Sequence, residues 1–130
     1  MMNVQANKVT DKIGENYETY FAQEGCWISE WWNTPEDEAV SIARARIEPG
    51  VTTHWHKLRG IAERHFILEG EGRAEVGDAP PRDVVPGHSV AIPPGTLQRI
   101  TNTGASDLVF LAVCTPRFRI EAYESLPDTN

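Results

Sequence analysis

Short runs of alternating or aromatic-rich residues, cut by turn-forming residues roughly every 8–12 positions, mark this chain as a series of β-strands. Residues 26–33 (CWISEWWN) combine aromatic and β-branched side chains, which pack well on a pleated surface. Asn33-Thr34-Pro35-Glu36-Asp37 then reads as a turn. Over residues 39–48, Ala43, Ala45 and Ile47 fall on one side and Arg44 and Arg46 on the other. This is the period-two pattern of a half-buried strand, and Pro49-Gly50 ends it. Residues 64–69 and 73–76 flank Gly70-Glu71-Gly72 as two arms of a hairpin. Further strands are predicted at 88–92, 97–102 and 107–114, the last being the most apolar and closed by Pro116. No segment of helical length carries a 3.6-residue period. The expected fold class is therefore all-β, a sandwich or barrel.

The 130 residues suffice for one core that buries roughly two thirds of the unfolded surface without disulfides. One domain over 1–130 is expected, with a barrel core at about 27–118, a polar arm at 1–20 and a polar tail at 120–130. Twelve Lys and Arg stand against 19 Asp and Glu, a net charge of −7. Such a surface repels phosphate backbones and anionic lipid, so no nucleic-acid or membrane partner is expected. The longest apolar run, Leu108 to Cys114, has seven residues, whereas a membrane span needs about 20. The first twenty residues lack the apolar stretch of a secretory leader, and Cys26 and Cys114 lie far apart. Both features point to a cytoplasmic protein with two free thiols. Four tryptophans and the doubly apolar strand at 107–114 point to a homodimer, because aromatic residues are enriched at subunit contacts.

Candidate chemistry centres on His54-Trp55-His56. On a strand, positions i and i+2 share a face, so two imidazoles converge there and Trp55 points away. The pair reads either as metal ligands or as two surface histidines. Glu63 opens the next strand and would complete a two-His-one-carboxylate set that leaves coordination positions open. Gln98, on a later strand, offers an amide oxygen as a neutral fourth ligand, or a donor to something bound on the metal. His65 shares the face of Glu63 on a regular strand. It is either an acid, base or substrate contact, or a packed and hydrogen-bonded core residue.

The run from Gly50 through His54-Trp55-His56, then Glu63 and Gly70, resembles the first motif of the cupin superfamily. The run Gly87-x5-Pro93-x-Gly95-x2-Gln98-x3-Asn102 resembles the second, with Gln98 standing where that motif has a histidine. Gly50 and His54 are closer together than usual, and His56 and Glu63 farther apart. The resemblance implies a jelly-roll barrel with its ligands projecting into a pocket open at one end. It also implies a divalent transition metal (Fe, Mn, Ni, Zn or Cu) held by His54, His56, Glu63 and Gln98, more weakly than in a three-histidine site. The implied function is a metal-dependent enzyme acting on a small oxygenated metabolite by dioxygenase, isomerase or lyase chemistry, with His65 as the catalytic candidate. The alternative is a barrel that binds metal and a small ligand without turnover.

Overall fold

The computed structural model describes residues 17–126. Eleven strands are found among them: β1 (Thr19–Phe21), β2 (Cys26–Trp32), β3 (Ser41–Ile47), β4 (His56–Leu58), β5 (Ala62–Glu69), β6 (Gly72–Val76), β7 (Arg82–Val84), β8 (Ser89–Ile92), β9 (Gln98–Asn102), β10 (Leu108–Thr115) and β11 (Tyr123–Ser125). They form two antiparallel sheets, ordered β1-β2-β3-β10-β5-β8 and β11-β4-β9-β6-β7. No described helix is long and apolar enough to cross a membrane.

The expected strands are present, for the expected reasons. The most apolar, β10, lies mid-sheet between β3 and β5, where both of its edges are paired. Its Phe110 and Leu108 join Ala45 and Ile47 of β3, Ile67 of β5 and Ile100 of β9 in a core between the sheets. The alternation of β3 holds as well. Ala45 and Ile47 are buried in that core, while Arg44 and Arg46 reach Glu18 at 3.1 and 2.9 Å. The two arms expected to pair as a hairpin around Gly70-Glu71-Gly72 lie in different sheets: β5 pairs with β10 and β8, and β6 with β7 and β9. The chain crosses between the layers at Gly70, whose φ is +82° and where a Cβ would collide with the Asp107 carbonyl. Only glycine combines that torsion with that close approach.

Two features lie beyond the expected barrel core. β1 pairs with β2, and β11 pairs with β4, so the segments read as polar arm and tail each contribute a strand to a sheet. The polar character of the tail hid Tyr123, which faces inward between Phe21 and His56. Residues 1–16 of the arm lie outside the described residues. Three of the four tryptophans are engaged within the chain, and the buried Trp31 indole N–H has no hydrogen-bond partner among the described residues. Trp32 donates to Asp37 at 2.9 Å, Trp27 carries the Arg46 guanidinium at 5.3 Å, and Trp55 carries that of Arg99 at 4.5 Å.

The last fixed residue of the second motif has a structural role. Asn102 is 1% exposed. Its Nδ2 donates to the Ile47 and Ser106 carbonyls, both at 2.8 Å, and its Oδ1 accepts from Gly104 N at 2.9 Å. One side chain thereby ties β9 to the end of β3 and closes the turn into β10. Asn102→Ala removes the partner of one buried and two half-buried backbone groups, and should lower the unfolding free energy by about 2 kcal/mol in urea titrations. A loss under about 1 kcal/mol would show that these bonds are replaced by water.

Candidate active site

The segment carrying the two histidines is not a regular strand. Thr52 bridges to Thr101, and His56 pairs with Gln98. The chain takes four steps between its two pairings and β9 takes three, so one extra residue bulges out. Thr53 occupies the gap: its N–H donates to Ile100 O at 2.9 Å, and its hydroxyl accepts from Ile100 N at 2.9 Å. The His54 N–H turns to the Glu24 carbonyl at 3.0 Å. His54 therefore precedes β4 and does not share a strand face with His56, contrary to the two-residue spacing rule. Its ring lies beside Gly25. His56 is buried, and its Nδ1 donates to the His54 carbonyl at 2.7 Å. A carbonyl only accepts, so Nδ1 carries the hydrogen and Nε2 of the neutral ring keeps its lone pair.

Glu63 is the centre of the site. In β5, Glu63, His65 and Ile67 follow the inward face while Phe66 and Leu68 are exposed. The Gln98 amide Nε2–H donates to Glu63 Oε1 at 2.7 Å, and His65 Nε2 lies 3.0 Å from Glu63 Oε2. Burial drives the Glu63 carboxyl toward its neutral form. The charge on His65, the hydrogen bonds from His65 and Gln98, and the charge on His56 outweigh it and hold the carboxyl below the ordinary glutamate range. The ionised carboxylate only accepts, so His65 Nε2 is the donor, and Nδ1 offers a lone pair only when the ring carries a single proton. The His65 ring packs on Phe110, with centroids 4.4 Å apart, and is fixed in orientation.

A second carboxylate, Glu24, comes from the turn between β1 and β2. Its Oε1 is 3.6 Å from His56 Nε2, near enough for charge pairing and too long for a hydrogen bond. Burial is the main cause that raises its pKa, and the charge of Glu63 adds to it, against the opposing influence of His56. Glu24, Glu63 and His65 all line a cavity of about 530 Å³, together with Ala45, Phe110, Ala112 and Cys114. Tyr123 stacks on His56 with centroids 5.2 Å apart. Its buried hydroxyl has no hydrogen-bond partner among the described residues. Burial, then Glu24, Cys26 and Glu63, raise its pKa, so it is a donor and not an anion. Cys26 and Cys114 are buried free thiols, their pKa values pushed up chiefly by burial. His88 is exposed and accepts from Val85 N.

The expected metal set is not drawn into one coordination sphere. Each Glu63 oxygen already accepts a hydrogen bond, Gln98 presents its amide hydrogens to that carboxylate, and His54 lies outside β4. Among the described residues no three His, Cys, Asp or Glu side chains are grouped to hold an ion. As arranged, these residues do not fit a metal. Glu63 is instead hydrogen-bonded to Gln98 and His65, and His56 to the His54 carbonyl. Glu24 and Tyr123 carry no sequence signal: one follows no motif and the other sits in a polar tail.

The raised pKa of Glu24 has a consequence for stability. As pH rises, the unfolded chain ionises Glu24 first. Its contribution is therefore whole below the ordinary value of about 4.3 and shrinks as pH climbs toward the folded value. Glu24→Gln has no such proton to lose. Its stability relative to the native protein should increase in urea unfolding as pH rises above about 4.3. A difference that stays flat would show that Glu24 ionises normally.

Comparison with known proteins agrees with this architecture. Among solved structures, a double-stranded β-helix protein from Klebsiella pneumoniae superposes with a TM-score of 0.69 at 17% identity, covering 87% of this chain and 93% of that one. A nucleoside dehydratase from Streptomyces gives a TM-score of 0.72 at 12% identity, covering 91% and 92%. A predicted oxalate decarboxylase from Thermotoga maritima gives 0.64 at 28% identity, covering 70% and 80%. No curated protein matches the sequence. The family model described as a cupin domain matches residues 43–114, from β3 to the end of β10 and more than half of the chain, and the chain belongs to the cupin family.

Proposed function

We propose that this cupin is an enzyme that moves protons on a small hydroxylated metabolite enclosed by the barrel, with loss of water or migration of a double bond as the outcome. The observation that supports this most is one cavity faced by a His65–Glu63 pair and by Glu24, the two carboxyls pushed in opposite directions from the ordinary glutamate range. Carboxyl groups separated in this way take the roles of acid and base. His65 Nδ1 removes a proton from a carbon beside a carbonyl, while Glu63 holds the ring and stabilises its charge. Glu24 gives its proton to the departing hydroxyl. The C–H and C–O bonds break, a C=C bond forms, water leaves, and no electron acceptor is needed. The likeness to a nucleoside dehydratase suits water loss in a barrel of this shape.

The test is exchange in D2O. β-Hydroxy carbonyl compounds and nucleosides are incubated with the protein, and their C–H signals are followed by NMR. Exchange or water loss is expected, slowed about 10²–10⁴-fold in His65→Ala and in Glu24→Gln. Equal rates in the native protein and both variants would contradict the assigned roles.

Cupins commonly bind metal ions. For this chain, elemental analysis of the purified protein should find well below one ion per chain, and turnover should survive a chelator. One ion per chain, lost in His54→Ala and in His56→Ala, would instead support the metal-dependent reading, with the side chains rearranging around the ion.

A further inference from the structure

We propose that the cavity selects a cationic, amine-bearing ring compound and rejects anionic metabolites, a narrowing of substrate class that rests on the acid–base reading of the same cavity. Its walls carry the acid Glu24, the carboxylates Glu30 and Glu63, and no described Arg or Lys. The basic side chains of the neighbouring strands are tied down elsewhere. Arg44 and Arg46 hold Glu18, Arg99 holds Glu75, Arg59 holds Glu124, and Arg119 lies against Glu38. His65 is the basic group on the wall, and its Nε2–H is committed to Glu63.

An anionic ligand entering this space leaves water, meets the charge of Glu63 and finds no cation to pair with. A buried charge without a partner is strongly disfavoured. A cation meets the opposite conditions. Glu63 lies in the interior, Glu30 is an exposed residue of the wall that accepts from the Asn33 amide at 2.8 Å while Arg117 donates to the Asn33 oxygen at 3.1 Å, and aromatic residues Tyr20, Phe21 and Phe118 line the same space. Ring faces attract ammonium groups through their quadrupoles, and more strongly once water is removed. Ile28, Ile42 and Phe110 supply apolar wall for a ring, and about 530 Å³ accommodates one with a short side chain.

The test uses three probes of one shape and different charge, titrated calorimetrically into the full chain at neutral pH. They are tyramine (cation), para-ethylphenol (neutral) and para-hydroxyphenylacetate (anion). Tyramine should bind about tenfold or more tighter than para-hydroxyphenylacetate, with the neutral compound between them. The cation-to-anion ratio should shrink in Glu30→Gln, and in Glu63→Gln if that variant folds. Equal affinities, a preference for the anion, or no binding by any of the three overturns the proposal. Because the titration needs no turnover, the two ideas fail separately. Cation preference without proton exchange on any amine-bearing compound overturns the acid–base reading and leaves charge selection standing. Exchange on an anionic compound without cation preference does the reverse.

Discussion

A carboxylate inside an apolar barrel must be neutralised or fully hydrogen-bonded, and in this protein Glu63 is the group on which that constraint falls. Gln98 supplies a neutral donor to one oxygen and His65 a donor to the other. Each comes from a different place: Glu63 and His65 from β5, in the six-stranded sheet, and Gln98 from β9, in the five-stranded one. The carboxylate thus links the two layers across the core as well as setting the chemistry. Replacing the motif histidine with glutamine follows the same logic. An amide donor satisfies the carboxylate without adding a second titrating ring.

The consequences spread outward from Glu63. Its negative charge is one reason that Glu24 resists ionisation. It also sets the tautomer of His65, since an ionised carboxylate takes a hydrogen and cannot give one. On the other side, His56 is oriented by the carbonyl of His54 and covered by Tyr123, so that its lone pair faces Glu24. The two carboxyls are therefore set apart by environment and not by residue type. The absence of described Arg and Lys from the cavity wall makes the same charge a selector of what enters.

Much of this was readable in the chain. Period two in residues 39–48 placed Ala45 and Ile47 inward and the arginines outward, because a half-buried strand leaves little freedom. The same parity placed His65 beside Glu63. What failed was parity at His54. One extra residue between Thr52 and His56 breaks the two-residue rule, and bulges of this kind depend on the partner strand, here through the Thr53 hydroxyl on Ile100. Glu24 and Tyr123 were hidden for a different reason. Each reaches the site through long-range pairing of a short terminal strand or its turn, and no local pattern records that.

The central claim is that one cavity pushes two glutamates in opposite directions, Glu24 above and Glu63 below the ordinary range. Titrating ¹³C-carboxyl-labelled glutamate by NMR, with Glu24→Gln and Glu63→Gln used to assign the signals, measures this directly. The account predicts that the Glu24 signal titrates above the ordinary glutamate range and the Glu63 signal below it. Two signals titrating together in the ordinary range, or Glu63 protonated at neutral pH, would contradict it.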